Sequence, residues 1–204
     1  GISLIGSNNN SILNNNISLN NDDGINLKGS NNNSISNNNI CSNNENGIIL
    51  CYGSNNNIIS NNNISNNYDG ISLWVMSNNN IIYMNNLLLC RHMGFVISGS
   101  SKNNVIYLNN FIDNTENVHV APSSYYTNFW NSTETMTYTY RGSKFTNYMG
   151  NYWDDYNGSD TNGDGIGDIP YSIKADRDKY PLIERFENYF VEMPTPSPSP
   201  TPTP

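Results

Sequence analysis

The stretch SNNNSISNNNI, residues 30–40, contains six asparagines, three serines and two isoleucines. Taken alone it is polar, low-complexity sequence, too poor in apolar surface to offset the entropy of ordering its backbone. Its neighbours change that reading. Glycines recur at Gly1, Gly24, Gly47, Gly70 and Gly94, and Asn117 stands in the same place ahead of Val118, with spacings of 23, 23, 23, 24 and 23 residues. A fixed period of this length marks stacked supersecondary units, none of which buries its apolar face alone.

Three apolar columns hold phase with the period. The first runs through the pairs Ile2/Leu4, Ile25/Leu27, Ile48/Leu50, Ile71/Leu73, Phe95/Ile97 and Val118/Val120; the second through Ile12, Ile35, Ile59, Ile82 and Ile106; the third through Ile17, Ile40, Ile64, Leu87 and Phe111. Such alternation predicts short strands with one face inward. Three strands per coil, each coil advancing by one strand spacing of about 4.8 Å, describe an all-β solenoid. The expected fold is a parallel β-helix of about five coils of 23–24 residues over residues 1–120. Asn16, Asn39, Asn63, Asn86 and Asn110 directly precede the third column. They are expected to point inward at a corner, where stacked amides hydrogen-bond from coil to coil and asparagine tolerates a left-handed backbone.

Charge and composition bound the function. The net charge is −8 and Lys28 is the only basic residue before Arg91, so no cationic surface awaits a phosphate backbone and nucleic acid is set aside as a partner. No apolar run of about 18 residues is present, so no membrane span is expected. The chain begins at Gly1 without an initiator Met or signal peptide, from which further coils or domains are expected upstream of Gly1 and beyond Pro204. Cys41, Cys51 and Cys90 match no metal-binding spacing and read as free structural thiols. Two turn rows precede the first column: Asp22, Glu45, Tyr68, His92, Thr115 and, beside them, Asp23, Asn46, Asp69, Met93, Glu116. Asp22 and Glu45 have no basic partner on neighbouring coils, so this face reads as a solvated turn.

Regularity stops near Val120. From Ala121 the composition turns aromatic and charged, with Tyr125, Tyr126, Phe129, Trp130, Tyr138, Tyr140, Phe145, Tyr148, Tyr152, Trp153 and Tyr156 in close succession. Residues 121–192 are therefore expected to cap the open end of the core. Within GNYWDDYNGSDTNGDGIGDIPYSI, residues 150–173, Asp160, Asn162, Asp164 and Asp168 occupy relative positions 1, 3, 5 and 9, with Gly165 at 6 and the Ile166 carbonyl at 7. That spacing points oxygens at one centre, and calcium is the expected cofactor. Tyr171 stands at position 12, where a complete calcium hand carries a bidentate Glu. Residues 193–204 place proline at every second position and read as an extended stalk or linker.

The block from GNYW to DGIGDIPY, followed by DKYPLI at residues 178–183 and preceded by Asn-rich coils, resembles the NosD-like family of right-handed parallel β-helix proteins. The resemblance covers residues 1 to about 185. It implies the fold and the extracellular or cell-surface setting that such modules have in archaeal proteins. It also implies two different activities, since the family carries both a periplasmic copper-binding label, after the part NosD plays in maturing a copper centre, and a carbohydrate label.

Three functions follow as expectations. The first is a noncatalytic extracellular or cell-surface module contacting glycans or surface components. The second is a copper-binding maturation factor, for which the available soft ligands are Cys90, His92 and Met93, with His119 on the next coil. The third is a polysaccharide lyase or hydrolase, for which no paired acid and base stand out, so no catalytic residue is assigned.

Overall fold

Each coil contributes one strand to each of three parallel sheets. In the first sheet, Ile2–Ile5, Ile25–Lys28, Asn46–Cys51, Asp69–Leu73, Met93–Ile97 and Glu116–Val120 stack in chain order. The second stacks Ser11–Leu13, Ser34–Ser36, Ile58–Ser60, Ile81–Tyr83 and Val105–Tyr107, and the third begins at Asn16–Ser18 and ends at Tyr152–Trp153. The result is the parallel β-helix that the period predicts, with the right hand that the family resemblance implies. The structure, a computed structural model, describes residues 1–125 and 127–192; Tyr126 and the proline-rich stretch 193–204 lie outside the described residues. Among the described residues no helix is long and apolar enough to cross a membrane.

Like residues stack on like because the register is strict: Ile25 pairs with Ile48, Ile35 with Ile59 and Ile40 with Ile64. Apart from Ile2 and Leu4 on the first coil, which are half-buried, all three columns are buried and form one continuous core. The glycine row is steric. A Cβ on Gly47 would stand 2.6 Å from Ile64 Cγ2 and 2.7 Å from the Gly70 carbonyl of the next coil.

The asparagines of residues 30–40 divide into distinct tasks. Asn32 and Asn37 take the left-handed backbone, with φ of +57° and +55°. Asn33 and Asn38, one residue later, turn inward and are buried. The Asn38 side-chain amide donates to Asn62 Oδ1 on the next coil at 3.0 Å and to the Ile12 carbonyl on the preceding one at 2.9 Å. The same pattern repeats from Asn62 to Asn85 and from Asn85 to Asn109, and a parallel ladder climbs from Asn33 through Asn57, Asn80 and Asn104. These buried amides satisfy corner backbone groups that no sheet pairs.

The row Asn16, Asn39, Asn63, Asn86 and Asn110 therefore needs correction. These residues start the strands of the third sheet, and because the following Ile, Leu or Phe points inward, strand alternation turns them outward. Asn16, Asn39 and Asn63 are exposed. They still bond along the axis on the outer face, Asn39 Nδ2 to Asn16 Oδ1 at 3.1 Å, Asn63 to Asn39 at 3.0 Å and Asn110 to Asn86 at 2.6 Å.

The solenoid does not end where its composition does. After Val120 the chain completes another rung in pieces: Phe129 bridges to Val105, and Tyr152–Trp153 pairs with Asn110 and Phe111. Both inner ladders continue onto it, through Asn104 to Asn128 and Asn109 to Asn151. Between these pieces the hairpin Met136–Tyr140 and Ser143–Asn147 loops out and pairs with Tyr189–Val191. Phe111, Trp153 and Tyr171 stack face to face at centroid separations of 4.2 and 4.3 Å, closing the core.

Candidate functional site

The loop-out between Val120 and Asn151 brings the turn between Asn110–Ile112 and Glu116–Val120, with the start of the latter strand, beside Asp154 and Asp155. The small hairpin Tyr171–Ile173 and Asp176–Asp178 stands opposite. Between them opens a cleft of about 630 Å³. One wall is a fixed network. The Asn117 side-chain amide donates to Asp154 Oδ1 at 2.8 Å and Asp155 Oδ1 at 3.1 Å, the Asp113 backbone N–H donates to Asp154 Oδ2, and the Tyr171 hydroxyl donates to Asp155 Oδ2 at 3.1 Å. Burial, and then the Asp155 carboxylate, push the Tyr171 phenol above its ordinary range, so it stays a donor. The other wall carries Lys174, placed in a left-handed turn, with its ammonium 2.7 Å from His119 Nδ1 and 3.7 Å from Glu116 Oε1. His119 lies on the outer face of the first sheet, so the cleft opens onto that face. Fixed carboxylates, a phenol donor and an ammonium around an open space can hydrogen-bond a polyhydroxylated ligand.

The sequence names several of these residues for other reasons, Thr115 and Glu116 in the turn rows, Asn117 in the glycine place, His119 as a copper candidate and Tyr171 at position 12 of the calcium-type loop, and does not bring them together as one site. One signal was there: N-x-aromatic at Asn151, Tyr152 and Trp153 repeats Asn109, Asn110 and Phe111, which would have placed Asp154 and Asp155 beside Asp113.

The expected calcium ligands sit elsewhere in the cap. Asp160 accepts from the backbone N–H groups of Gly163, Asp164 and Gly165 at 2.8, 3.1 and 2.9 Å. Asp164 accepts from the Ile166 N–H, Asn162 and Asn147, and Asp168 from Ser159 and the Thr161 N–H. The loop is tied to the aromatics by the Tyr138 hydroxyl donating to the Asp164 carbonyl and that of Tyr189 to the Gly165 carbonyl. Among the described residues no group of three or more His, Cys, Asp or Glu side chains is placed to hold a metal ion. These carboxylates accept both from backbone N–H groups and from the side chains of Asn147, Ser159 and Asn162.

The copper candidates are likewise kept apart. Cys90 is 1 % exposed, and burial pushes its thiol up to about 12, away from the thiolate that copper requires. His92 commits Nδ1 to Asp69 Oδ1 at 2.9 Å and stacks on Tyr68 at 4.7 Å. His119 Nδ1 faces the Lys174 ammonium. These residues do not fit a copper site.

The sequence profile described as periplasmic copper-binding protein (NosD) matches residues 1–158, which include Asp113, Asn117, Asp154 and Asp155 of the cleft. Among solved structures, the crystal structure of the periplasmic alginate epimerase AlgG is similar at 27% identity and a TM-score of 0.50, over 54% of this chain and 27% of that one. A point-mutant form of AlgG is similar at 25% identity and a TM-score of 0.51, over 58% and 30% of the two chains. This chain thus spans less than a third of the epimerase. No curated protein matches the sequence. The profile match covers all the regular coils and the first part of the cap, and the chain belongs to the NosD family.

Proposed function

We propose that this chain is a periplasmic or cell-surface β-helix protein that binds a saccharide in the cleft between its last coil and the cap hairpin, without cleaving it. The observation that carries this reading is the pair Asp154 and Asp155, fixed by Asn117 and Tyr171 opposite Lys174. Neighbouring hydroxyls of a sugar ring donate to fixed carboxylates at little cost in reorganisation. Both carboxylates stand on one wall, bonded to the same amide, whereas glycoside cleavage needs two that flank the bond. The fold likeness to an enzyme that acts on alginate supports a saccharide as the class of ligand.

Calorimetric titration with a set of neutral trisaccharides tests the reading. Asp155→Asn and Tyr171→Phe are each expected to weaken binding about tenfold or more, the cost of one charge-assisted hydrogen bond. A parent protein that binds none of them, or an Asp155→Asn variant that binds like the parent, overturns it.

A further inference from the structure

We infer that the proline-rich segment 193–204 seats on the outer face of the second sheet, in the groove where that sheet meets the cap. The face changes character along the stack. In the second coil its two outward positions are Ser34 and Ser36; in the fourth they are Ile81 and Tyr83, and in the fifth Val105 and Tyr107. Ile58, outward on the third coil, is 40 % exposed and Ile81 38 %, and the Tyr83 and Tyr107 rings stack at 5.4 Å. The base of the cap hairpin turns this apolar end of the face into a groove of about 380 Å³, with Ile81, Val105, Tyr107 and Met136 along it and Glu134 and Glu192 beside them. Among the described residues, none of the outward positions of this sheet carries a charge, in a chain of net charge −8.

The chain itself arrives at this groove. The Glu192 N–H donates to the Thr137 carbonyl at 2.9 Å and its carboxylate meets the Lys144 ammonium at 2.7 Å, so the last described residue is pinned where the groove opens. The next twelve residues, MPTPSPSPTPTP, carry no charge and have proline at six positions. An uncharged segment suits an uncharged face, whereas a charged partner would lose hydration there without gaining a counter-charge. The outer face of a sheet offers side chains only, because its backbone groups pair with neighbouring coils. Proline has no N–H, so half of this segment can be covered without leaving a donor unpaired. Its rings pack on tyrosine and aliphatic side chains, as extended proline-rich chains do in aromatic-lined grooves.

Length and tethering agree with this placement. Twelve extended residues at about 3.1 Å each reach about 37 Å, and the fifth coil lies only two rises of about 4.8 Å from the third. Attachment at Glu192 holds the segment at an effective concentration in the millimolar range, so a groove too weak to capture a free peptide is still filled.

Cysteine cross-linking in the full chain tests the inference. Cys41, half-buried, is replaced by serine, while Cys51 and Cys90 are buried and stay. Ser199→Cys is combined either with Ser36→Cys, outward on the second sheet, or with Ser65→Cys, outward on the third, and each protein is treated with a short bismaleimide. The Ser36 pair should cross-link within one chain about tenfold faster than the Ser65 pair. Ile81→Asp, at an exposed position, should slow the Ser36 reaction about tenfold, and so should Pro196→Asp combined with Pro198→Asp, which alters no residue of the folded coils or cap. These variants separate seating from mere nearness of the attachment point. Equal rates for the two pairs, or a Ser36 reaction that the tail variant leaves unchanged, overturns the inference. Cross-links between chains in place of links within one chain assign the face to a second copy and overturn it as well.

Discussion

Asparagine in this chain is several residues under one letter. In residues 30–40 one asparagine takes a left-handed turn, its neighbour bridges coils inside the wall, and the next begins a strand on the outer face. The difference is one position in sequence and the whole of burial in space. Replacing Asn62, 1 % exposed, by alanine strips the Asn38 backbone N–H of its acceptor and the Ile35 carbonyl of its side-chain donor. Each group left unpaired costs about 1–3 kcal/mol, so chemical denaturation should show a clear loss of stability. Asn63→Ala, one residue on and exposed, is expected to change stability by about 0.5 kcal/mol or less. Equal losses from the two substitutions would show that the inner and outer rows are misassigned.

At the scale of elements, the solenoid and its cap depend on packing in different ways. Each coil is held by its neighbours, so the coils form a core whose stability adds from rung to rung. The cap hangs on a few aromatics. Trp153 stacks between Phe111 and Tyr171 and donates its indole N–H to Asp178 at 3.0 Å. Trp153→Ala should cost about 3–5 kcal/mol. Hydrogen exchange and limited proteolysis should then show residues 152–178 opening while the coils up to residue 112 stay protected. Equal exposure of both would mean that the cap and coils unfold as one unit.

At the scale of the whole molecule, the end of the solenoid is organised around one buried carboxylate. Asp178 is 0 % exposed and accepts from the Asn151 N–H at 2.7 Å, the Trp153 indole and the Tyr180 N–H. Burial outweighs these donors and raises its pKa from 3.8 to about 7. The folded state therefore favours the protonated form. Its contribution to stability is fully present below pH 3.8 and is lost as pH rises through about 7. Calorimetry of the parent against Asp178→Asn, a neutral isostere, isolates this group from the other carboxylates. The parent should match the variant at about pH 4 and melt increasingly below it as the pH approaches about 8. A difference that does not change with pH would place the charged form of Asp178 in the folded cap.

The sequence by itself determined the solenoid, because a parallel stack puts residues one period apart in register and the columns of Ile25 to Phe95, Ile35 to Ile106 and Ile40 to Phe111 can be read as a ruler. Of the aromatics after Val120, Trp130 and Trp153 join the solenoid core, whereas Tyr138 and Tyr140 build a second cluster with Met149, Ile166, Leu182 and Tyr189, a division that no local pattern announced. What the sequence could not decide was which asparagines face inward, since a one-residue shift between Asn38 and Asn39 exchanges the two faces and both carry the same side chain. The cleft was hidden for a different reason. Asp113 and Asp154 are 41 residues apart in sequence and become neighbours only because the intervening chain loops out before completing its rung. The carboxylates with calcium-type spacing were visible as a motif, and in three dimensions they accept from backbone N–H groups and from the side chains of Asn147, Ser159 and Asn162. Local spacing fixes which oxygens are near one another, and only the folded backbone decides what they bind.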